Sequence, residues 1–172
     1  MAKSVLKGTR ILAVDDEPDI LAVLEEEIGD ACRDCTIDTA TTYQEAAGLL
    51  GSKTYDLAIL DIMGVRGFDL LEMAVKRNDC RVAMLTAHAL SPEALLKSHR
   101  LGARAYLPKE KLRDIVPFLE DVMRYEFQTG WTRLLEKLST FFSDRFEPDW
   151  YSQIEIDFPD FVDLPPVGAG TH

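Results

Sequence analysis

Cysteine is scarce in this sequence of 172 residues: Cys32, Cys35 and Cys80 are the whole set. An odd, sparse set argues against a disulfide framework. Cys32 and Cys35 do form a CxxC, but a zinc site needs a second ligand pair that is not visible, so the pair reads as ordinary residues near a strand start. Long hydrophobic runs are also missing. No window approaches the roughly 20 apolar residues of a membrane span. The first residues, MAKSVLKGTRILAVDDEP, lack the hydrophobic segment and cleavage site of a secretory leader, and the expectation is a cytoplasmic protein. Positive charge is in short supply, with 19 Lys plus Arg against 30 Asp plus Glu and a formal net charge of −11. Nucleic-acid affinity rests largely on Lys and Arg neutralising phosphates, so neither nucleic acid nor membrane is an expected partner.

What is present suits a folded protein, with 47% hydrophobic and 28% charged residues, too apolar for a disordered chain. The length fits one ordinary domain plus an appendage. From Thr9 to about Leu107 short apolar runs alternate with amphipathic stretches, the pattern of repeated βα units around a parallel sheet. Ile11–Val14, Leu57–Leu60 and Val82–Leu85 are nearly uninterrupted apolar runs, as expected of strands covered on both faces. Thr36–Ala40 and Ala105–Leu107 are weaker and suit outer strands. Pro18, the Thr42/Glu45 capping box and Ser91-Pro92 mark helix starts, and Gly51 and Gly102 stand where helices would end. Five strands and five helices result, the last helix beginning after Lys109.

The apolar positions Leu112, Ile115, Val116, Leu119, Val122 and Met123 keep a helical spacing, and Phe127, Trp131, Leu134, Leu135, Leu138, Phe141 and Phe142 continue it. One long helix or two in sequence is expected, with Gly130 the favoured break and Pro117 in or near a first turn. That aromatic stripe is either packed on its own domain or a partner surface. Residues 126–172 carry nine acids against three bases, and beyond Pro148 the chain reads as an extended or poorly ordered tail. His88 and His99 are too isolated to form a ligand set.

In a doubly wound sheet, ligands bind beyond the carboxyl ends of the strands. Asp15 and Asp16 stand at the end of the first strand, Asp61 at the end of the third, Thr86 after the fourth and Lys109 after the fifth. Converging carboxylates call for raised pKa values or a bound cation, and hard oxygen ligands suit Mg²⁺. Such a site fits phosphoryl transfer to a carboxylate, with Asp61 the candidate nucleophile.

The strings ILAVDDEPDI, AILDIM, AMLTAHA and GARAYLPK, in this order and at this spacing, resemble the receiver domain of two-component response regulators. The resemblance covers roughly residues 9–125. It implies a doubly wound five-stranded parallel sheet of flavodoxin-like order 2-1-3-4-5; the helical spacing beyond it adds a C-terminal helix over 126–147, followed by a tail over 148–172. It further implies that Asp61 is the phosphoacceptor, charged by a histidine kinase, a phosphotransfer protein or a small phosphodonor. By the same resemblance Asp15, Asp16 and the Met63 backbone carbonyl join Asp61 in holding Mg²⁺, Lys109 pairs with the acceptor, and Thr86 and Tyr106 are the switch pair. Switched contacts, or a homodimer, would use the face from about Ser91 to Tyr125 and the C-terminal helix.

Two departures stand out. The loop Ile62-Met63-Gly64-Val65-Arg66-Gly67 lacks the family's proline and is two residues short, and Glu110 replaces the proline that normally follows the lysine. Two other readings stay open: an Mg²⁺-dependent phosphohydrolase that turns Asp61 over on external substrates, and a receiver-like binding module that is never phosphorylated. Against the first, the second Asp such enzymes place two residues after the nucleophile is Met63 here.

Overall fold

Burial on both faces turns the short apolar runs into strands. β1 (Arg10–Val14), β2 (Thr36–Ala40), β3 (Leu57–Asp61), β4 (Arg81–Thr86) and β5 (Ala105–Pro108) pair in parallel in the order β2-β1-β3-β4-β5. This is seen in a computed structural model that describes residues 5–77 and 80–147. The order is the one the resemblance implies. Register aligns the strand ends: Val14 faces Leu60, Asp61 faces Leu85, and Thr86 faces Pro108. The residues just past those ends, Asp15 and Lys109 among them, are thereby gathered on one edge of the sheet, at the point where strand order reverses.

Helices α1 (Pro18–Ala31), α2 (Tyr43–Ser52), α3 (Gly67–Lys76), α4 (Pro92–Arg100) and α5 (Ile115–Arg124) cover the sheet, and a 3-10 turn, Lys109–Asp114, precedes α5. The expected caps form. Thr42 Oγ1 accepts from the Glu45 N–H at 3.2 Å, and Ser91 Oγ accepts from the Ala94 N–H at 3.1 Å, each satisfying an amide that has no partner within its helix. Gly102 closes α4 with φ of 98°. Gly51, expected as a terminator, lies inside α2 instead. There the last turn closes without a left-handed residue, because the Lys53 N–H reaches Leu49 O and the Ser52 hydroxyl donates to Gly48 O at 2.8 Å.

The chain after Lys109 corrects a second expectation. It breaks at Tyr125-Glu126, between α5 and α6 (Phe127–Arg145), while Gly130 sits within α6 and donates its N–H to Glu126 O at 2.8 Å. The stop comes from β4. The Arg81 guanidinium donates to the carbonyls of Val122, Met123 and Tyr125 at 2.7, 3.2 and 2.9 Å, taking acceptors that a continuous helix would use internally.

Of the two readings of the aromatic stripe, the structure adopts packing on its own domain. α6 folds back on α5 and β5 and buries Trp131, Leu134, Leu135, Leu138 and Phe142. The Trp131 Nε1–H donates to Ala103 O at 2.9 Å, and the Phe142 ring lies 5.9 Å from that of Tyr106. His99 on α4 packs 5.1 Å from both Phe127 and Trp131. The three cysteines are free thiols, and Cys35 donates its S–H to Leu6 O. The expected tail over 148–172 lies outside the described residues.

The aromatic cage has a consequence for pH. Burial, with the Arg100 charge beside it, pulls the His99 pKa below its ordinary 6.5. The folded protein then binds fewer protons here than the unfolded chain, so this contribution to stability is present above pH 6.5 and is lost as pH falls through that value toward the lower folded pKa. The thermal midpoint of the wild type should therefore drop between about pH 6.5 and pH 5 more steeply than that of His99→Phe. Parallel midpoint-against-pH curves for the two proteins would exclude the contribution.

Candidate functional site

Each acidic residue reaches the site because a strand ends there. Asp15 follows β1, fully buried, with its Oδ1 accepting from the Glu17 N–H at 2.9 Å and its own N–H donating to Ala40 O. Asp61 closes β3 and is only 3% exposed, while Asp16 is exposed. One carboxylate oxygen from each of Asp15, Asp16 and Asp61 lies within 4.8 Å of the others, the one such grouping of metal-ligating side chains among the described residues. Lys109, at the end of β5, places Nζ 2.8 Å from Asp15 Oδ2 and 3.4 Å from Asp61 Oδ1, with its side chain 8% exposed.

Three carboxylates against one ammonium leave the cluster under-neutralised. Burial first, and then the Asp15 charge, push the Asp61 pKa up to about 7, with Lys109 opposing the rise. Burial also raises Asp15, again against Lys109. Burial alone would lower the Lys109 pKa, but Asp15 and Asp61 outweigh it and hold the ammonium above its ordinary range. A hard divalent cation fits this donor set, since Mg²⁺ takes one or two protein carboxylates and completes its octahedron with water and phosphate oxygens. Asp15 Oδ2 is buried, and its partner is the Lys109 ammonium at 2.8 Å.

The short turn between β3 and α3 is made possible by glycine. Gly64 has φ of 86°, and a Cβ there would overlap Asp16 Oδ2. At Gly67 a Cβ would come within van der Waals overlap of the Asp61 carbonyl oxygen. Arg66 between them takes the left-handed conformation, φ 54°, which costs a non-glycine residue of order 1 kcal/mol. It is held by an ion pair to Asp69 at 2.9 Å and by its stack over the Tyr43 ring at 4.1 Å. Turn residues are thus pressed onto Asp16 and onto the end of β3. Met63 lies in this turn, two residues past Asp61, with its side chain 53% exposed.

Thr86 and Tyr106 meet on the loop between β4 and α4. Thr86 Oγ1 accepts from the Ala89 N–H at 2.8 Å; the Tyr106 hydroxyl donates to Ala89 O at 2.7 Å and accepts from the Ser91 N–H at 2.9 Å. Both side chains are buried. All seven sequence-assigned residues thus fall on one edge of the sheet or on its adjoining loops. Sequence reasoning passed over Gly67 as a packing constraint and Ala89 as the shared partner of Thr86 and Tyr106. The first could have been found from the glycine spacing in a shortened loop; the second involves only backbone atoms and leaves no sequence signal.

Comparison with known proteins places the chain. The response regulator receiver domain family matches residues 11–119. The chain is 34% identical over 127 residues to the two-component response regulator ARR12 of Arabidopsis thaliana, covering 70% of this chain and 20% of the relative. It is 35% identical over 132 residues to the two-component response regulator ORR23 of Oryza sativa, covering 71% and 18%. The chain thus spans about a fifth of the length of these curated relatives. Among solved structures, a CheY-like receiver domain protein from Methanospirillum hungatei superposes with a TM-score of 0.60 at 29% identity, covering 67% of this chain and 93% of the other. The receiver domain of NtrX from Brucella abortus gives 0.59 at 26%, covering 67% and 99%.

The two glycines should fail differently. Gly67→Ala meets backbone and should lower stability by about 1–3 kcal/mol in denaturant unfolding. Gly64→Ala meets the Asp16 carboxylate and should raise the Mg²⁺ dissociation constant about tenfold, read by titration calorimetry. Unchanged Mg²⁺ affinity in Gly64→Ala would show that Asp16 does not need its present position.

Proposed function

Because the chain belongs to the response regulator receiver domain family, we propose that it is a phosphorylation-controlled signalling switch whose acceptor is Asp61. The observation that carries the reading is the buried Asp61 carboxylate, 3.4 Å from Lys109 Nζ, with Asp15 and Asp16 beside it. A carboxylate oxygen of Asp61 attacks the phosphorus of a phosphohistidine on a histidine kinase or phosphotransfer protein, or of a small phosphodonor. The P–N or P–O bond breaks with its electron pair leaving on the donor, and an acyl phosphate remains on Asp61.

Asp15, Asp16, Asp61 and the Met63 carbonyl would hold Mg²⁺, which supplies positive charge that keeps Asp61 ionised and offsets charge on the transferred group. Lys109 supplies the protein's own share of that charge. The new phosphoryl oxygens then offer acceptors to Lys109 and to the Thr86 hydroxyl, and the Ala89 loop follows Thr86. The chemistry ends on the chain's own aspartate, so the product is a changed surface and not a released metabolite.

We assign the receiver unit to residues 9–125, the helical extension to 126–147 and a cytoplasmic setting to the whole. Among the described residues no helix is long and apolar enough to cross a membrane. The face from Ser91 to Tyr125, together with the C-terminal helix, is where switched contacts with a protein partner or a second copy would be made.

Intact-mass measurement after incubation with acetyl phosphate tests the reading. The wild type should gain a single phosphoryl adduct only when Mg²⁺ is present, and Asp61→Ala should gain none. An adduct of equal yield in Asp61→Ala, or none in any protein under trapping at low temperature, would overturn it.

A further inference from the structure

α6 lies beyond residue 119, where the match to the receiver family ends, and nothing in the phosphoryl chemistry calls for it. Yet it occupies the face on which that chemistry would be read out. Its N-terminal half holds α4: Phe127 and Trp131 pack on His99, and Trp131 Nε1–H donates to Ala103 O at 2.9 Å, between α4 and β5. Its C-terminal half holds β5: Phe142, fully buried, packs 5.9 Å from the Tyr106 ring and is itself stacked on Phe146 at 5.3 Å and met edge-on by Phe141 at 5.9 Å. Ion pairs close the rim, with Lys137 Nζ 2.6 Å and Arg133 Nε 3.3 Å from Asp121 on α5, and Arg145 2.7 Å from Glu110.

We propose that α6 is an intramolecular ligand of the face formed by α4, β5 and α5, that Phe142 is the positioning residue through which it holds Tyr106, and that phosphorylation of Asp61 loosens it. The inference rests on the reading of Asp61 as phosphoacceptor and adds to it the identity of the element that is switched. Thr86, Ala89 and Tyr106 form one hydrogen-bonded unit, because Thr86 accepts from the Ala89 N–H while Tyr106 donates to the Ala89 carbonyl. A Thr86 hydroxyl drawn to a phosphoryl oxygen moves Ala89, and the Tyr106 hydroxyl loses the shortest of its bonds. The ring then keeps Ser91 as its one anchor on the loop side and Phe142 on the other. Ser91, which donates to Tyr106, is also the N-cap of α4, so the disturbance reaches the His99 cage at the opposite end of α6.

Coupling of this kind is reciprocal: if phosphorylation weakens α6 docking by some factor, a weakened α6 favours phosphorylation by the same factor. Only α6 docking makes that demand of Phe142, a residue on a different element from every acid of the site.

The test uses the full chain with acetyl phosphate and Mg²⁺, reading phosphoryl occupancy by intact mass and amide hydrogen exchange over residues 127–145 in the same samples. Phosphorylated protein should exchange those amides about fivefold faster or more, with β1 and β3 unchanged. Phe142→Ala should reach half occupancy at an about fivefold lower acetyl phosphate concentration. Lys137→Ala, which leaves the core intact, should shift it in the same direction by less. Leu50→Ala, a cavity on α2, should not shift it. An adduct with unchanged exchange over 127–145, or equal half-occupancy concentrations in wild type, Phe142→Ala and Lys137→Ala, would overturn the proposal while leaving Asp61 as the acceptor. Absence of the adduct from every variant would overturn both.

Discussion

One ammonium facing three carboxylates at the edge of a parallel sheet is the constraint from which the rest follows. Lys109 cannot neutralise Asp15, Asp16 and Asp61 together, and two of the three acids are almost wholly out of water. A buried charge without a partner costs several kcal/mol or gives up its ionisation, and the raised pKa of Asp61 records that second course. The fold therefore stores an electrostatic deficit where strand order reverses. Positive charge relieves it, and the phosphoryl group proposed for Asp61 would rearrange it. The apolar strands that hold the acids are the means of keeping water from relieving it instead.

The turn after Asp61 shows how closely that geometry is drawn. The backbone passes hard against both Asp16 and the Asp61 carbonyl, and glycine stands at both points of contact. Arg66 absorbs the remaining strain in a left-handed conformation, held by Asp69 and Tyr43.

How much could be read in advance depends on where the decisive atoms lie. Strands buried on both faces are continuous apolar runs, and each ends at its first charged or hydroxyl residue, so Asp15, Asp61, Thr86 and Lys109 could be placed at strand ends from order alone. The caps at Thr42 and Ser91 were legible for the same reason: the partners are three residues apart. The α5–α6 break was not. Propensity pointed to Gly130, but the helix stops because Arg81, 41 to 44 residues earlier, takes its last carbonyls. Gly51 misled likewise, since a serine hydroxyl closed the turn. Periodicity showed that the stripe from Phe127 to Phe142 had to be buried; it could not show that the burying surface was β5 of the same chain. The aromatic partners of His99, Phe127 and Trp131, lie on another helix and leave no local pattern in the sequence.

The two edges of the sheet explain why α6 matters beyond its own packing. An unpaired strand edge invites association unless it is charged, twisted away or covered. β2 is protected by charge: its side chains are half-exposed, and Asp38 on it accepts from Tyr55 and pairs with Lys53 at 3.2 Å. β5 carries no such device, for Ala105, Tyr106, Leu107 and Pro108 are all buried. Its protection is α6, with Trp131 bonded at its start and Phe142 on Tyr106. The same strand bears Tyr106, proposed above as the switch aromatic, and leads directly into Lys109. If α6 loosens as we propose, the same motion bares an apolar edge that another surface would have to cover, so the proposed switching and any association would be joined at β5.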